Sequence, residues 1–146
     1  MKAVVARALG SPENFNLEDV ELSPTGPGEL RVDVYVAGVS YVTALVAAGR
    51  YQVKPPLPFI PGGEFAGVVA AVGPGVTGFT VGDRVLGAGF GGGFAEAATI
   101  PAASALHIPA GMSFETAAVF RVAYGTAYHA LVQRADLKPG ETLLVL

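Results

Sequence analysis

Cysteine is absent from the 146 residues, which rules out disulfides, Cys-ligated zinc and a thiol nucleophile together. Histidine is scarce: His107 and His129 stand far apart in sequence and cannot form a recognised zinc site without other strong ligands. Charge is also scarce, at 14% of residues, and the net value of −3 comes from scattered acidic and basic side chains. No basic stripe marks a nucleic-acid partner. Glycines, prolines and charges break every apolar run well short of the ~20 residues that a membrane-spanning helix needs. The stretch from Met1 to Gly10 carries Lys2 and Arg7 but no extended apolar segment and no cleavage-like site, so no secretory leader is expected. The expectation is a cytoplasmic soluble protein that engages neither nucleic acid nor membrane.

What is present is apolar. Hydrophobic residues make up 51% of the chain and mean hydropathy is +0.50, too high for disorder. The length is that of about one domain with a real core. For a free-standing domain the composition is unusually apolar. Either much of the chain is buried against something else, or it is simply rich in Ala, Val and Gly.

The first two-thirds read as short strands. Lys2 to Ala8 and Phe15 to Leu22 are extended segments separated by Gly10, Pro12 and Asn14. Leu30, Val32, Val34 and Val36 alternate with Arg31, Asp33 and Tyr35, the period of a strand with one buried face. Ser40 is placed to cap a short helix carrying Val42, Leu45 and Val46, which Gly49 ends. Pro55, Pro56, Pro58 and Pro61 stiffen the next stretch into an extended loop. Strands are predicted over Glu64 to Val72, Arg84 to Leu86, Phe94 to Ile100 and Leu106 to Ile108. Ser113 suits the N-cap of a helix starting at Phe114, and a second helix is predicted over Ala123 to Arg134. The run Thr142 to Leu146 reads as a central strand of a parallel sheet. Uncovered, it would leave a sticky edge, so the chain is expected to stop inside a larger fold. Many short strands with Gly/Pro turns predict a mainly β chain built on a closed or partly closed barrel with short helices.

Several stretches carry a resemblance. They are Ala37-Gly38-Val39-Ser40-Tyr41, Gly49 to Pro58, Pro61-Gly62-Gly63-Glu64-Phe65-Ala66-Gly67-Val68-Val69, Gly82-Asp83-Arg84-Val85, and Tyr124 to Leu131. In this order and spacing the chain resembles the zinc-free quinone oxidoreductase (zeta-crystallin-like) branch of the medium-chain dehydrogenase/reductase superfamily. The resemblance implies a GroES-like, partly open β-barrel as the substrate domain over residues 1–121. It also implies that 122–146 is the first helix and strand of a truncated dinucleotide-binding Rossmann domain, which would hold most of the NADPH. It implies an NADPH-dependent, metal-independent reductase of quinones or α,β-unsaturated carbonyls, with enoyl-thioester reduction as the neighbouring activity and a homodimer as the full-length form. The isolated chain is then expected to be inactive. From a different class comes the alternative of a non-catalytic barrel module that associates through the surface around Thr142 to Leu146.

The resemblance also nominates site residues. Zinc-dependent relatives place Cys at Ser40 and His at Gly63, leaving only Glu64 of that pattern, so no zinc is expected. Tyr51 matches a cleft tyrosine. Reduction of a quinone or enone needs a hydride at carbon and a proton at oxygen or the neighbouring carbon, and a phenol can supply that proton or polarise the carbonyl. A loop tyrosine packed on the proline-rich segment is the bland alternative. Ser40, where relatives carry Asn, can donate one hydrogen bond to the nicotinamide ribose or carboxamide, or serve only as a cap. Thr126 matches a threonine near the nicotinamide and equally suits ordinary helix packing.

Gly87-Ala88-Gly89-Phe90-Gly91-Gly92 satisfies the dinucleotide pattern GxGxxG in letters. That pattern works only where a strand leads into a helix N-terminus. Here it leads towards another strand, so a glycine-rich hairpin or loop is expected. Glu64, Asp83 and Arg84 are expected to be structural, with Asp83 bonding the turn backbone.

Overall fold

The computed structural model describes residues 1–145. Among these residues seven strands run in chain order: β1 (Lys2–Ala6), β2 (Phe15–Asp19), β3 (Glu29–Gly38), β4 (Glu64–Val72), β5 (Arg84–Ala88), β6 (Ala97–Pro101) and β7 (Ala105–His107). Helix α1 (Tyr41–Ala47) follows β3, and α2 (Phe114–Tyr128) follows β7. β1 and β2 form one sheet, and the other has the order β6-β3-β4-β5-β7. Every pairing is antiparallel.

The barrel does not close. Instead β1 leans on the approach to β6, with Val4 N–H donating to Phe94 O at 2.8 Å and Glu96 N–H to Lys2 O at 3.0 Å. Ala6 and Phe59 exchange backbone bonds of 2.8 and 3.0 Å. The mainly β, partly open barrel is therefore present.

Alternation in β3 does what its period dictates. Leu30 and Val32 are fully buried, while Asp33 and Tyr35 face solvent. β4 lacks alternation because both its faces are covered. Phe65 and Val69 pack with Leu30, Val32, Val85 and Ile100 inside the barrel. Ala66, on the opposite face, packs with Leu86, Ile108 and the α2 residues Ala117 and Ala118. Small side chains let α2 approach closely. A Cβ on Gly38 would already sit 3.1 Å from Ala118 O.

Gly67 marks the tightest approach within the sheet, where a Cβ would overlap Asp33 O. The β3–β4 register shifts beside it, between Val34 and Val36, as a bulge does when a strand must bend. At the entry to β5, Asp83 closes a turn. Its carboxylate accepts from Thr80 N–H at 2.7 Å and from the Thr80 hydroxyl at 3.0 Å. The Thr80 backbone bond is the chief reason that the Asp83 carboxyl titrates below its ordinary value.

Two expectations are corrected. Instead of two helices, α2 runs unbroken to Tyr128 and widens into a π-helical turn, His129–Arg134. Ser113 caps it as expected, accepting from Thr116 N–H at 3.2 Å. The stretch Val119-Phe120-Arg121-Val122-Ala123 offers no capping or breaking residue, and one internal glycine, Gly125, costs only about 1 kcal/mol. The strand expected over 142–146 is not formed over 142–145, and Leu146 lies outside the described residues. An apolar run becomes a strand only when a neighbour completes its backbone bonds, and among the described residues none pairs with this one. Among the same residues, no helix is long and apolar enough to cross a membrane.

These contacts can be tested by substitution. Gly67→Ala is expected to destabilise the fold by about 3 kcal/mol or more, measured by denaturant unfolding. Asp83→Asn keeps one acceptor and removes the charge. Because the folded carboxyl titrates below its unfolded value, its contribution is present above the unfolded pKa and is lost as pH falls through the folded one. The stability gap between wild type and variant should therefore be widest near neutral pH and shrink through the acidic carboxylate range in thermal melts.

Candidate functional site

The start of α1, the loop before β4, the end of β5 and the middle of α2 converge on one cleft. It encloses about 340 Å³ and is lined by Ser40, Val42, Thr43, Val46, Tyr51, Gly63, Glu64, Ala88, Gly89, Phe90, Arg121 and Val122. The walls are largely apolar, and their polar side chains are the hydroxyls of Ser40, Thr43 and Tyr51, the Glu64 carboxylate and the Arg121 guanidinium.

Ser40 caps α1, its Oγ accepting from Thr43 N–H at 3.2 Å and lying 3.1 Å from Thr43 Oγ1. Capping uses only acceptor capacity. When Thr43 donates its hydroxyl hydrogen to Ser40, the Ser40 O–H is free to donate into the cleft. Both readings of Ser40 are thus compatible.

Tyr51 follows α1, tethered by its N–H to Leu45 O at 3.2 Å. Its half-buried ring lies 6.1 Å from that of Phe90, tilted by 42°. Thr126 does not join Ser40 and Tyr51. It sits on the exposed part of α2, one turn past Val122, outside the cleft lining.

Glu64 is buried and its Oε2 accepts from Val122 N–H at 3.1 Å. This clamps α2 to the start of β4 and agrees with a structural use. Arg121 donates from Nη1 to Ser104 O at 2.5 Å. Asp83 bonds the turn backbone as expected, and Arg84 donates to Met112 O at 2.6 Å while its guanidinium lies 4.5 Å over the Phe114 ring.

The glycine run is a loop, and its glycines serve backbone contact. Gly89 N–H donates to Gly63 O at 2.7 Å, Gly92 N–H to Ile60 O at 2.7 Å and Gly93 N–H to Gly62 O at 2.9 Å. Cβ atoms at Gly63 or Gly91 would lie 2.8 Å from Gly89 O and 2.6 Å from Ile60 O, respectively. Two loops are zipped together backbone to backbone. Position 63 consequently has no room for a side chain unless the opposite loop moves.

Sequence reasoning missed Phe90 and Arg121 as cleft residues. Each had a signal. Phe90 is the one bulky side chain between Gly87 and Gly93, and Arg121 the one charge between Ala117 and Ala127. Glu64→Ala removes the acceptor that the Val122 amide uses and should destabilise the chain by about 1–3 kcal/mol. Glu64→Gln, which keeps the acceptor, should restore most of the loss in chemical unfolding.

Comparison with known proteins agrees with this architecture. The family model of the alcohol dehydrogenase GroES-like domain matches residues 26–110. A quinone oxidoreductase-like protein 2 homolog from Nematostella vectensis is 42% identical over 99% of this chain and 40% of its own length. A probable oxidoreductase from Mycobacterium abscessus superimposes with a TM-score of 0.90 at 38% identity, over 97% of this chain and 45% of that one. The quinone oxidoreductase of Thermus thermophilus, solved also in complex with NADPH, gives 0.82 at 35% identity, over 97% and 43%. The chain spans about two-fifths of the length of the curated relatives it matches. With a matching family model over more than half its residues and this barrel, the chain belongs to the alcohol dehydrogenase GroES-like domain family, in the quinone oxidoreductase branch of the medium-chain dehydrogenase/reductase superfamily.

Proposed function

We propose that this chain is the substrate-binding half of an NADPH-dependent, metal-independent oxidoreductase acting on quinones or α,β-unsaturated carbonyls. The observation that carries the reading is the placement of the Tyr51 ring and the Ser40 hydroxyl in one mainly apolar cleft. Such walls suit a flat, weakly polar acceptor, and hydroxyl donors suit its carbonyl oxygen. NADPH supplies a hydride when bound. Tyr51 donates its phenolic hydrogen bond, and then the proton, to the oxygen on which negative charge develops. Ser40 holds the nicotinamide amide or ribose through its free O–H. Val42, Val46 and Phe90 exclude water, which strengthens each polar contact inside.

A metal-free mechanism is supported by the chemistry of the positions that zinc ligands take in relatives. Ser40 offers a neutral hydroxyl whose acceptor capacity the cap uses, and Gly63 offers no side chain at all. The division at 121/122 follows the same reading, with residues 122–146 starting a Rossmann half that binds most of the cofactor. This chain alone would then be inactive, and the full enzyme a homodimer. Thr126, on the exposed turn beyond Val122, would meet the cofactor from that side. Reduction of an enoyl thioester uses the same groups.

The test pairs this chain with a longer one that carries a dinucleotide-binding half. Only the longer chain should bind NADPH in a fluorescence titration and oxidise it when given a quinone. In that enzyme Tyr51→Phe should lower kcat for quinone by about a hundredfold with little change in KM. Unchanged turnover would remove Tyr51 from the chemistry, and absence of NADPH binding by both chains would overturn the oxidoreductase reading.

A further inference from the structure

The glycine-rich loop does more than close the cleft. Ala88, Gly89 and Phe90 line it on one side. Phe90, Gly91 and Gly92 line a second, larger cavity of about 670 Å³ on the other. The loop is therefore a septum, and Phe90 belongs to both chambers.

The septum cannot shift easily, because its backbone is bonded to Ile60, Gly62 and Gly63. It carries one bulky side chain, with small residues on both sides. Phe90 remains 51% exposed and its ring packs near Tyr51, so the aromatic surface is shared between proton donor and partition. Beyond it, Val5, Val20, Pro55, Pro58, Phe59 and Ile60 supply an apolar floor and a stiff rim. Most charged side chains on that rim are paired: Arg7 forms a two-pronged pair with Glu18 at 2.9 and 2.7 Å, and Asp19 pairs with Lys2 at 3.3 Å, while Glu21 adds an exposed carboxylate at the edge. A chamber with an apolar floor and mostly paired charges on its rim offers burial to hydrocarbon and little to an anion.

We infer that the two chambers form one bipartite substrate site. The cleft takes the reducible ring or enone, the larger cavity takes an apolar tail attached to it, and Phe90 is the specificity-determining residue over which the tail passes. The inference rests on the proposed function and narrows its substrate class to quinones or enones bearing an alkyl or prenyl chain.

Binding to this chain tests it without requiring turnover. Amide NMR titrations would compare a decyl-substituted benzoquinone with the same ring bearing only methyl groups. Both should move the Ser40 and Tyr51 signals. Only the decyl compound should also move Val5, Val20 and Phe59, and it should bind at least about tenfold tighter, since each buried methylene adds to affinity. Val20→Trp, which fills the larger chamber, should bring the ratio of the two dissociation constants towards one. Phe90→Ala removes the partition and should change the same ratio at least about threefold, and heteronuclear spectra would verify that each variant is folded. Equal affinities with the larger chamber silent would overturn the bipartite site while leaving the proposed function standing. Decyl binding that moves only the larger chamber would also overturn it, by separating tail site from cleft. If neither quinone moves Ser40 or Tyr51, the functional reading of the cleft falls together with the inference.

Discussion

Backbone-to-backbone contact between the loop at Ile60–Gly63 and the loop at Gly89–Phe94 governs the geometry of the site. Four N–H groups of the second loop donate to carbonyls of the first, from Gly89 to Gly63 through Phe94 to Pro61. Loops normally lie on the surface because their backbone groups need partners. Here they satisfy one another, at separations where a methyl group at Gly62, Gly63 or Gly91 would collide. The pairing places β4 and β5 in register, sets Glu64 at the inner end of the cleft, and presents Phe90 towards Tyr51. Glycine at these positions is a requirement of distance between the two loops.

Much of the fold was legible in the sequence because local physics and tertiary context agreed. β3 declares itself by alternation, β4 by an apolar run between Pro61 and the Gly73-Pro74-Gly75 turn, and both helix starts by a serine three residues before a threonine. The failures came where the deciding interaction was remote. The break placed in α2 had no capping or breaking residue behind it between Val119 and Ala123, and the grip of Glu64 and Ser104 on Val122 and Arg121 comes from outside the helix. The run at 142–145 has strand composition without a strand neighbour, and composition alone cannot supply a ladder.

The site was legible in part for a similar reason. Ser40 and Tyr51 were nominated by the resemblance; they flank α1, and the fold brings them to one cleft. Thr126 was nominated from a motif on α2, yet the cleft reaches that helix one turn earlier, at Arg121 and Val122. Phe90 is masked by the glycines around it, which carry the recognisable pattern. In a loop without other bulky side chains, the single aromatic residue is the one able to shape a cavity.

The continuity of α2 has a mechanical consequence. From Val122, which Glu64 holds, to Tyr128 the helix extends about 9 Å, and its outer face presents Phe120, Tyr124, Tyr128 and Leu131 as an apolar groove. A helix of this kind is a stiff rod and not a joint. Its anchorage lies at the Glu64 contact, beside the Arg121 side of the cleft. A partner seated on that groove would bear on the same rigid helix that carries Arg121 and Val122 into the cleft.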